Sequence, residues 1–322
     1  MRILVYHHDD ADGLMSAAIV RYAILKQPKE TIPDFVFQQF SYNKAEEFKD
    51  LSAVTKDLYS QVYVVDCFLG LEQMKYLLEE FGENLIWIDH HLSSIDTWKK
   101  GGTAQIEGIQ NTFNSASYLT WQFFFGKAVE VPECVNQVNN FDIWKKTEVW
   151  DSITYPWQLV ITTFLNNPAT FDNSLFMDEE KMKQYIKAIG TPIMSYDEKL
   201  QEQMLQSVMR VHLNVEGKPE FLFINSPLKT SRMFEKYLQE DKVENKDRIK
   251  GFINAYLKSP DEWSVSIYRA SGSDFDAQAI AKKFGGGGHK AAAGFRISDS
   301  EFRKLLDFDL KKKTTKLPEK NK

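Results

Sequence analysis

Three short, uninterrupted apolar runs mark the first half of the chain: Ile3 to Tyr6, Val62 to Val65 and Leu85 to Ile88. A strand covered on both faces reads this way, because neither set of alternating side chains needs to be polar. Between them the apolar period changes to that of helices, over Leu14 to Ile24 and over Glu72 to Phe81. Asn114-Ser115-Ala116-Ser117 reads as the start of a further helix running through Trp121 to Phe125, aromatic on several sides and so expected in the core. The segment from Phe171 to Arg210 is charged and helix-prone, with a break expected around Gly190-Thr191-Pro192. Strand patterns return at Val211 to Val215, Glu220 to Asn225, Ile249 to Leu257 and Trp263 to Tyr268, with a helix over Asp276 to Phe284. The alternation predicts an α/β fold: a parallel-sheet N-terminal domain over 1–175, a helical connector over 176–210 and a smaller α/β domain over 211–308. The lysine-rich remainder, 309–322, lacks apolar periodicity and is expected to be disordered.

Length and composition fit this division. At 322 residues the chain is long for one core, and 43% hydrophobic with 26% charged residues is ordinary for a soluble globular protein. A net charge of -5 and a pI near 5.8 argue against bulk electrostatic binding to duplex DNA, which needs a broad basic face. They leave room for a small phosphorylated substrate, since bound divalent ions add positive charge that the formal count omits. Cys67 and Cys134 are too few for a disulfide framework and lack metal-site spacing. No signal-peptide layout and no apolar run of membrane-spanning length is present, so no membrane contact and a cytoplasmic location are expected.

The chemistry lies where the strands stop. The first run leads into His7-His8-Asp9-Asp10-Ala11-Asp12-Gly13, the second into Asp66, the third into Asp89-His90-His91. In a parallel sheet these carboxyl ends share one edge, so the groups converge. His8, Asp10 and Asp12 alternate and would point the same way if extended, and Gly13 would let the next helix start close to a bound ligand. Capping explains one or two of these acids, but closely packed carboxylates repel unless cations neutralise them. Asp142, in Asn140-Phe141-Asp142-Ile143-Trp144, is either a further ligand or a helix-end residue. Near the C-terminus, Gly285-Gly286-Gly287-Gly288-His289-Lys290 is either a flexible hinge or a close-approach loop that offers backbone N–H groups and two cations to phosphate.

Together these residues resemble the DHH family of phosphoesterases, named for the triplet present here as Asp89-His90-His91. His8-x-Asp10-x-Asp12-Gly13-x-x-Ser16-Ala17 is similar to its first motif and Val64-Val65-Asp66 to its second; Asp142 stands where a fourth motif's acid falls. Gly285 to Gly294 resembles the signature of the DHH-associated substrate domain of nano-RNases and RecJ-type exonucleases. His8 stands nearer its aspartates than in many nano-RNases, which leaves His7 as the alternative first ligand. The resemblance implies two divalent ions per site, usually Mn²⁺, with Mg²⁺ or Co²⁺ as substitutes. His8, Asp10 and Asp66 would hold one ion; Asp12, Asp66, His90 and Asp142 the other, with Asp66 shared. The implied chemistry is in-line attack of water at phosphorus, with metal charge offsetting that on the phosphoryl oxygens. Asp89, His90 and His91 form its catalytic group, Asp89 orienting a neighbouring imidazole and His91 facing the phosphoryl oxygens or leaving group. Arg269, Gly286, Gly287, Gly288, His289 and Lys290 would grip the rest of the nucleotide.

A short cleft between two such domains favours a terminal nucleotide or very short oligomer. The expected activity is Mn²⁺-dependent hydrolysis of short single-stranded RNA or DNA to mononucleotides, with a nucleoside bisphosphate or linear dinucleotide also suited. A RecJ-like single-strand exonuclease is the alternative, although no long basic, aromatic groove is evident. An inorganic pyrophosphatase is disfavoured by the glycine-histidine loop. A non-catalytic nucleotide-binding module is the alternative of another class, and a homodimer is left open.

Overall fold

A computed structural model describes residues 1–28, 31–228, 233–234, 237–238, 245–288 and 290–308; His289 and the tail expected to be disordered, 309–322, lie outside the described residues. The chain divides into two compact units, Met1–Met194 and Ser195–Lys322. No described helix is long and apolar enough to cross a membrane.

The first unit is built on a four-stranded parallel sheet of β1 (Arg2–His8), β2 (Asp34–Phe40), β3 (Gln61–Val65) and β4 (Leu85–Ile88), in the order β2-β1-β3-β4. The three apolar runs are its β1, β3 and β4, and the pleat explains why they carry no polar alternation. Ile3, Val5, Tyr63, Val65, Ile86 and Ile88 face one way, against Ala17, Val20 and Ile24 of the helix α1 (Ala11–Lys26). Leu4, Tyr6, Val62, Val64, Leu85 and Trp87 face the other, against Met74, Leu77 and Phe81 of α2 (Leu71–Phe81) and Ile95 and Trp98 of α3 (Leu92–Gly101). Both faces are therefore covered, as a parallel sheet requires.

Beyond α1 a second layer of helices is added by α4 (Ala116–Phe125), α5 (Glu133–Asp142) and α6 (Tyr155–Thr163), whose Trp121, Val135, Val138, Trp157 and Ile161 share one core with Met15, Ile19 and Tyr22. Phe171, Leu175, Phe176, Met182 and Ile186 belong to this same core. The start of the expected connector is thus packed into the first unit, because its aromatic and aliphatic residues fill the gap beside Trp121. No break occurs at Gly190-Thr191-Pro192. A helix, Glu179–Tyr185, passes through a π-helical turn, Ile186–Gly190, directly into the helix Thr191–Leu205. Pro192 falls in the first turn of that last helix, where its missing N–H is best tolerated. Gly190 permits close contact: a Cβ there would lie 2.4 Å from the Pro156 carbonyl oxygen.

The second unit holds a mixed seven-stranded sheet, ordered β11-β5-β6-β7-β8-β10-β9. Its strands are β5 (Met209–Leu213), β6 (Glu220–Asn225), β7 (Ile249–Ser259), β8 (Glu262–Arg269), β9 (Gly287–Gly288), β10 (Ala292–Ser298) and β11 (Leu306–Phe308). β6 and β7 are parallel; the other neighbouring pairs are antiparallel. One face buries Val211, Phe223, Ile253, Val265 and Phe295 under the helices Ala277–Lys283 and Asp299–Leu305. The other buries Leu222, Ile224 and Phe252 against Phe234 and Tyr237.

Candidate metal centre

Register alone brings the candidate ligands together. His8 ends β1, opposite Phe40 of β2; one step back, His7 pairs with Val65 of β3 and Val65 with Ile88 of β4. Asp66 and Asp89 are the next residues along, so His8, Asp66 and Asp89 form a row on the carboxyl edge of the sheet. β1 connects outward to β2 and β3 outward to β4. The crevice of this fold therefore opens between the ends of β1 and β3, at His8 and Asp66.

Asp66 is the centre of the cluster. Its backbone sits in the left-handed region at φ 59, a conformation that costs a non-glycine residue energy and turns its side chain out of the strand direction. His8 Nδ1 lies 3.8 Å from Asp66 Oδ2 and 2.9 Å from Asp10 Oδ2. His90 Nε2 lies 3.4 Å from Asp66 Oδ1 and 3.3 Å from Asp142 Oδ2. Three triads each place their ligand atoms within 4.8 Å of one another: His8, Asp10 and Asp66; Asp66, His90 and His91; Asp12, His90 and Asp142. The carboxylate of Asp66 is 1% exposed, yet neither oxygen has a hydrogen-bond donor. Such a group is stable only when neutralised, by a proton or by cations. Carboxylates and imidazoles without thiolates suit hard or borderline divalent ions, so the residues fit the metal pair expected from the sequence.

The acids after β1 do not converge by alternation. The extended segment ends at Asp10, which is the N-cap of α1; its Oδ1 accepts Gly13 N–H at 3.0 Å while Oδ2 faces His8. Capping and site-building are thus the same carboxylate's work. Asp12 lies within the first turn of α1 and reaches a different group. Its two oxygens accept the backbone N–H of Ala116 (2.7 Å) and Ser117 (3.0 Å), the open amino end of α4, a favourable place for an anion. Gly13 serves its own strand rather than a ligand: a Cβ there would lie 2.4 Å from the His8 carbonyl oxygen. His7 is turned away from the triads, its Nδ1 2.8 Å from the His8 carbonyl and its ring against Phe37.

Asp89 is fully buried. Its Oδ1 accepts the backbone N–H of His90 and His91 and lies 2.8 Å from His91 Nδ1, while Oδ2 has no donor. Asp89 therefore shapes the turn and holds His91 rather than presenting itself at the surface of the site.

Charge follows from this packing. Burial, then the carboxylates of Asp12, Asp10, Asp142 and Asp89, push Asp66 well above the usual carboxylate range. Burial and the charges of Asp12 and Asp10 do the same to Asp142. Burial lowers His90. Burial also works against a charged His91, but the Asp89 hydrogen bond and charge overcome it and raise the imidazole to about 9. In His8 the opposing burial is likewise overcome by Asp10, and the net shift is upward. Asp9, its Oδ1 3.4 Å from His8 Nε2, is a neighbour that sequence spacing alone did not single out.

In the second unit the glycine run is not an open cradle throughout. Gly287 and Gly288 pair with Gly294 and Ala293 of β10. A Cβ on Gly286 would lie 2.2 Å from the Gly294 carbonyl oxygen, and one on Gly288 2.6 Å from that of Ala292. These glycines let two backbones approach, which accounts for them without a ligand. Gly287 alone of the three faces open space. Arg269 ends β8, its N–H donating to the Ala291 carbonyl, and both Arg269 and Lys290 are exposed.

Comparison with known proteins agrees with this arrangement. The DHH family N-terminal domain model matches residues 2–138, and the DHHA1 domain model matches 238–311. An uncharacterized protein, R106, of Acanthamoeba polyphaga mimivirus is 24% identical over 315 residues, covering 92% of this chain and 67% of the viral one. Among solved structures, a DHH domain described as a member of the s1p family of ribosomal proteins matches with a TM-score of 0.61 at 16% identity, over 94% of this chain and 84% of that chain. The pGpG-specific phosphodiesterase PggH of Vibrio cholerae matches with a TM-score of 0.53 at 15% identity, over 94% and 95%. These two likenesses establish a shared fold. With the motifs at the sheet edge and both domain models in order, the chain belongs to the DHH family of phosphoesterases, its DHH domain followed by a DHHA1 domain.

Proposed function

We propose that the chain is a Mn²⁺-dependent phosphodiesterase that hydrolyses short single-stranded oligonucleotides, down to dinucleotides, to mononucleotides. The observation that carries this reading is Asp66, a buried carboxylate without hydrogen-bond donors, set between His8 on one side and His90 and His91 on the other. His8, Asp10 and Asp66 are assigned to one ion, and Asp12, His90 and Asp142 with Asp66 to the second. Bound there, divalent ions supply charge to the phosphoryl oxygens and acidify the attacking water.

The chain's own residues do the rest. Asp10 and Asp12 are each fixed by helix amides, so their remaining lone pairs are aimed before any ligand arrives. His91, held through Nδ1 by Asp89, is assigned to donate a proton to the leaving oxygen. Exposed Arg269 and Lys290, with the open backbone at Gly287, are assigned to the substrate's further phosphates. A structural neighbour named for pGpG supports the dinucleotide end of the size range.

The test is a length series with Mn²⁺, from dinucleotides to about twenty-five-mers of RNA and DNA, alongside a nucleoside 3′,5′-bisphosphate and pyrophosphate, with Asp66→Asn as control. Turnover concentrated on the shortest oligomers supports the proposal. Processive degradation of long strands favours a RecJ-like exonuclease, and nucleotide binding without metal-dependent turnover favours a binding module.

A further inference from the structure

Immediately beside Asp142 the chain assembles a stack of aromatic rings that neither the metal cluster nor the core requires. Phe141 and Trp150 lie 5.5 Å apart with planes 14° from parallel, and Trp144 and Trp150 5.9 Å apart at 24°. Phe141 and Trp144 are 6.4 Å apart at 22°. Lys146 Nζ stands over both indoles, 5.3 Å from the ring centre of Trp144 and 5.7 Å from that of Trp150. The cluster follows the end of α5, so Trp144 is two residues, at most about 7 Å of chain, from the candidate ligand Asp142.

Two observations set this apart from ordinary surface packing. Trp144 is 53% exposed, and Lys145 and Lys146 beside it are exposed too. Trp144 also holds a left-handed backbone at φ 56, a costly state for a bulky residue. Three backbone bonds enforce it: Trp144 N–H to the Phe141 carbonyl (3.1 Å), Lys145 N–H to Asn140 (2.8 Å) and Lys146 N–H to Trp144 (3.0 Å). A strained turn that keeps a large flat ring in water, flanked by cations and adjacent to phosphate chemistry, matches what an unpaired nucleobase and its phosphate need.

We propose that Trp144, backed by Trp150 and Lys146, is the platform on which the base adjoining the scissile phosphate stacks, so that the substrate is recognised through an unpaired base as well as through its phosphate. The inference rests on the hydrolase reading of the neighbouring cluster. It makes the first unit, rather than the second alone, a determinant of substrate class: base-bearing single strands are preferred, while pyrophosphate, which has no base, and duplexes, whose bases are held by pairing and stacking, are poor.

The test compares a dinucleotide with its analogue lacking the base next to the scissile phosphate. Wild-type protein is expected to show a KM about tenfold or more lower for the base-bearing substrate. In Trp144→Ala the two KM values converge, while Trp144→Phe restores most of the difference. The Mn²⁺-induced rise in melting temperature, read on all three proteins, persists if the fold and metal cluster are intact. Equal KM values in wild type, or an Ala variant that weakens both substrates alike, would overturn the platform. A second readout separates this from the hydrolase reading: quenching of tryptophan fluorescence by a dinucleotide under chelator. Quenching in wild type, reduced in Trp144→Ala, with no turnover anywhere, would sustain the platform and refute the hydrolase; absence of both refutes both.

Discussion

Asp89 holds His91 by ring and backbone at once: the same oxygen that lies 2.8 Å from His91 Nδ1 accepts the backbone N–H of His91 and of His90. One buried carboxylate therefore fixes the turn, the orientation of the imidazole and its readiness to carry a proton. Asp89→Asn keeps an acceptor of the same shape and removes the charge. Activity on dinucleotides is expected to fall by about 10–100-fold, with Mn²⁺ binding by calorimetry largely retained. An unchanged rate would remove Asp89 from the mechanism.

Asp66 costs the metal-free protein stability, because burial among other acids without a donor favours its protonated form, and taking up that proton costs free energy near neutral pH. Asp66→Asn is expected to raise the melting temperature in chelator by about 2 °C or more and to abolish the further rise on adding Mn²⁺. A variant less stable than wild type in chelator, with the metal response intact, would contradict the role assigned to this residue.

The pH dependence of the metal-free protein has a definite sign. Asp66, Asp142, His8 and His91 all hold protons more tightly in the folded chain than in the unfolded one. Folded protein then binds the greater number of protons, so stability declines as pH rises. His7 and His90 are shifted downward, but they act in the opposite sense only below the ordinary imidazole value of about 6.5. Thermal melts in chelator should therefore show a falling midpoint from about pH 7 to past 9, the value reached by His91. The stabilisation by Mn²⁺ should grow over the same range, since ligation displaces protons.

Gly13 is expected to accept no side chain without moving His8. An added Cβ would sit 2.4 Å from the His8 carbonyl oxygen and 2.6 Å from its nitrogen, both backbone atoms that cannot swing aside. Gly13→Ala should destabilise the protein by about 1–3 kcal/mol in denaturant titrations and weaken Mn²⁺ binding measurably. Full metal affinity in this variant would show that the end of β1 tolerates displacement.

Much of the site was legible because it hangs on strands buried on both faces. Val62 to Val65 and Leu85 to Ile88 announce themselves as unbroken apolar runs, and the acids that follow them needed only a parallel sheet to converge. β2 was not read: Asp34–Phe40 is an edge strand with a half-buried to exposed pattern, and its β-prone Phe-Val-Phe is short and runs into Gln-Gln without a sustained alternation. The sequence places Asp12 beside the other acids, but its tie to Ala116 and Ser117 depends on a contact over a hundred residues long, which no local pattern encodes. The glycine run misled for a related reason. Its missing side chains make room for β10 as well as for any ligand, and sequence does not distinguish the two. The stack of Phe141, Trp144 and Trp150 escaped notice because a left-handed turn and a π-helical segment, Trp150–Thr154, bring together positions with no regular spacing.

The order of the ligands along the chain has a consequence for biosynthesis. His8, Asp10, Asp12, Asp66, His90 and Asp142 have all been made before Ser195, where the second unit begins, leaves the ribosome. The aromatic and aliphatic residues from Phe171 to Ile186 that complete the first core are made before it as well. The cluster and the core that carries it could therefore assemble on a nascent chain before the second unit is complete.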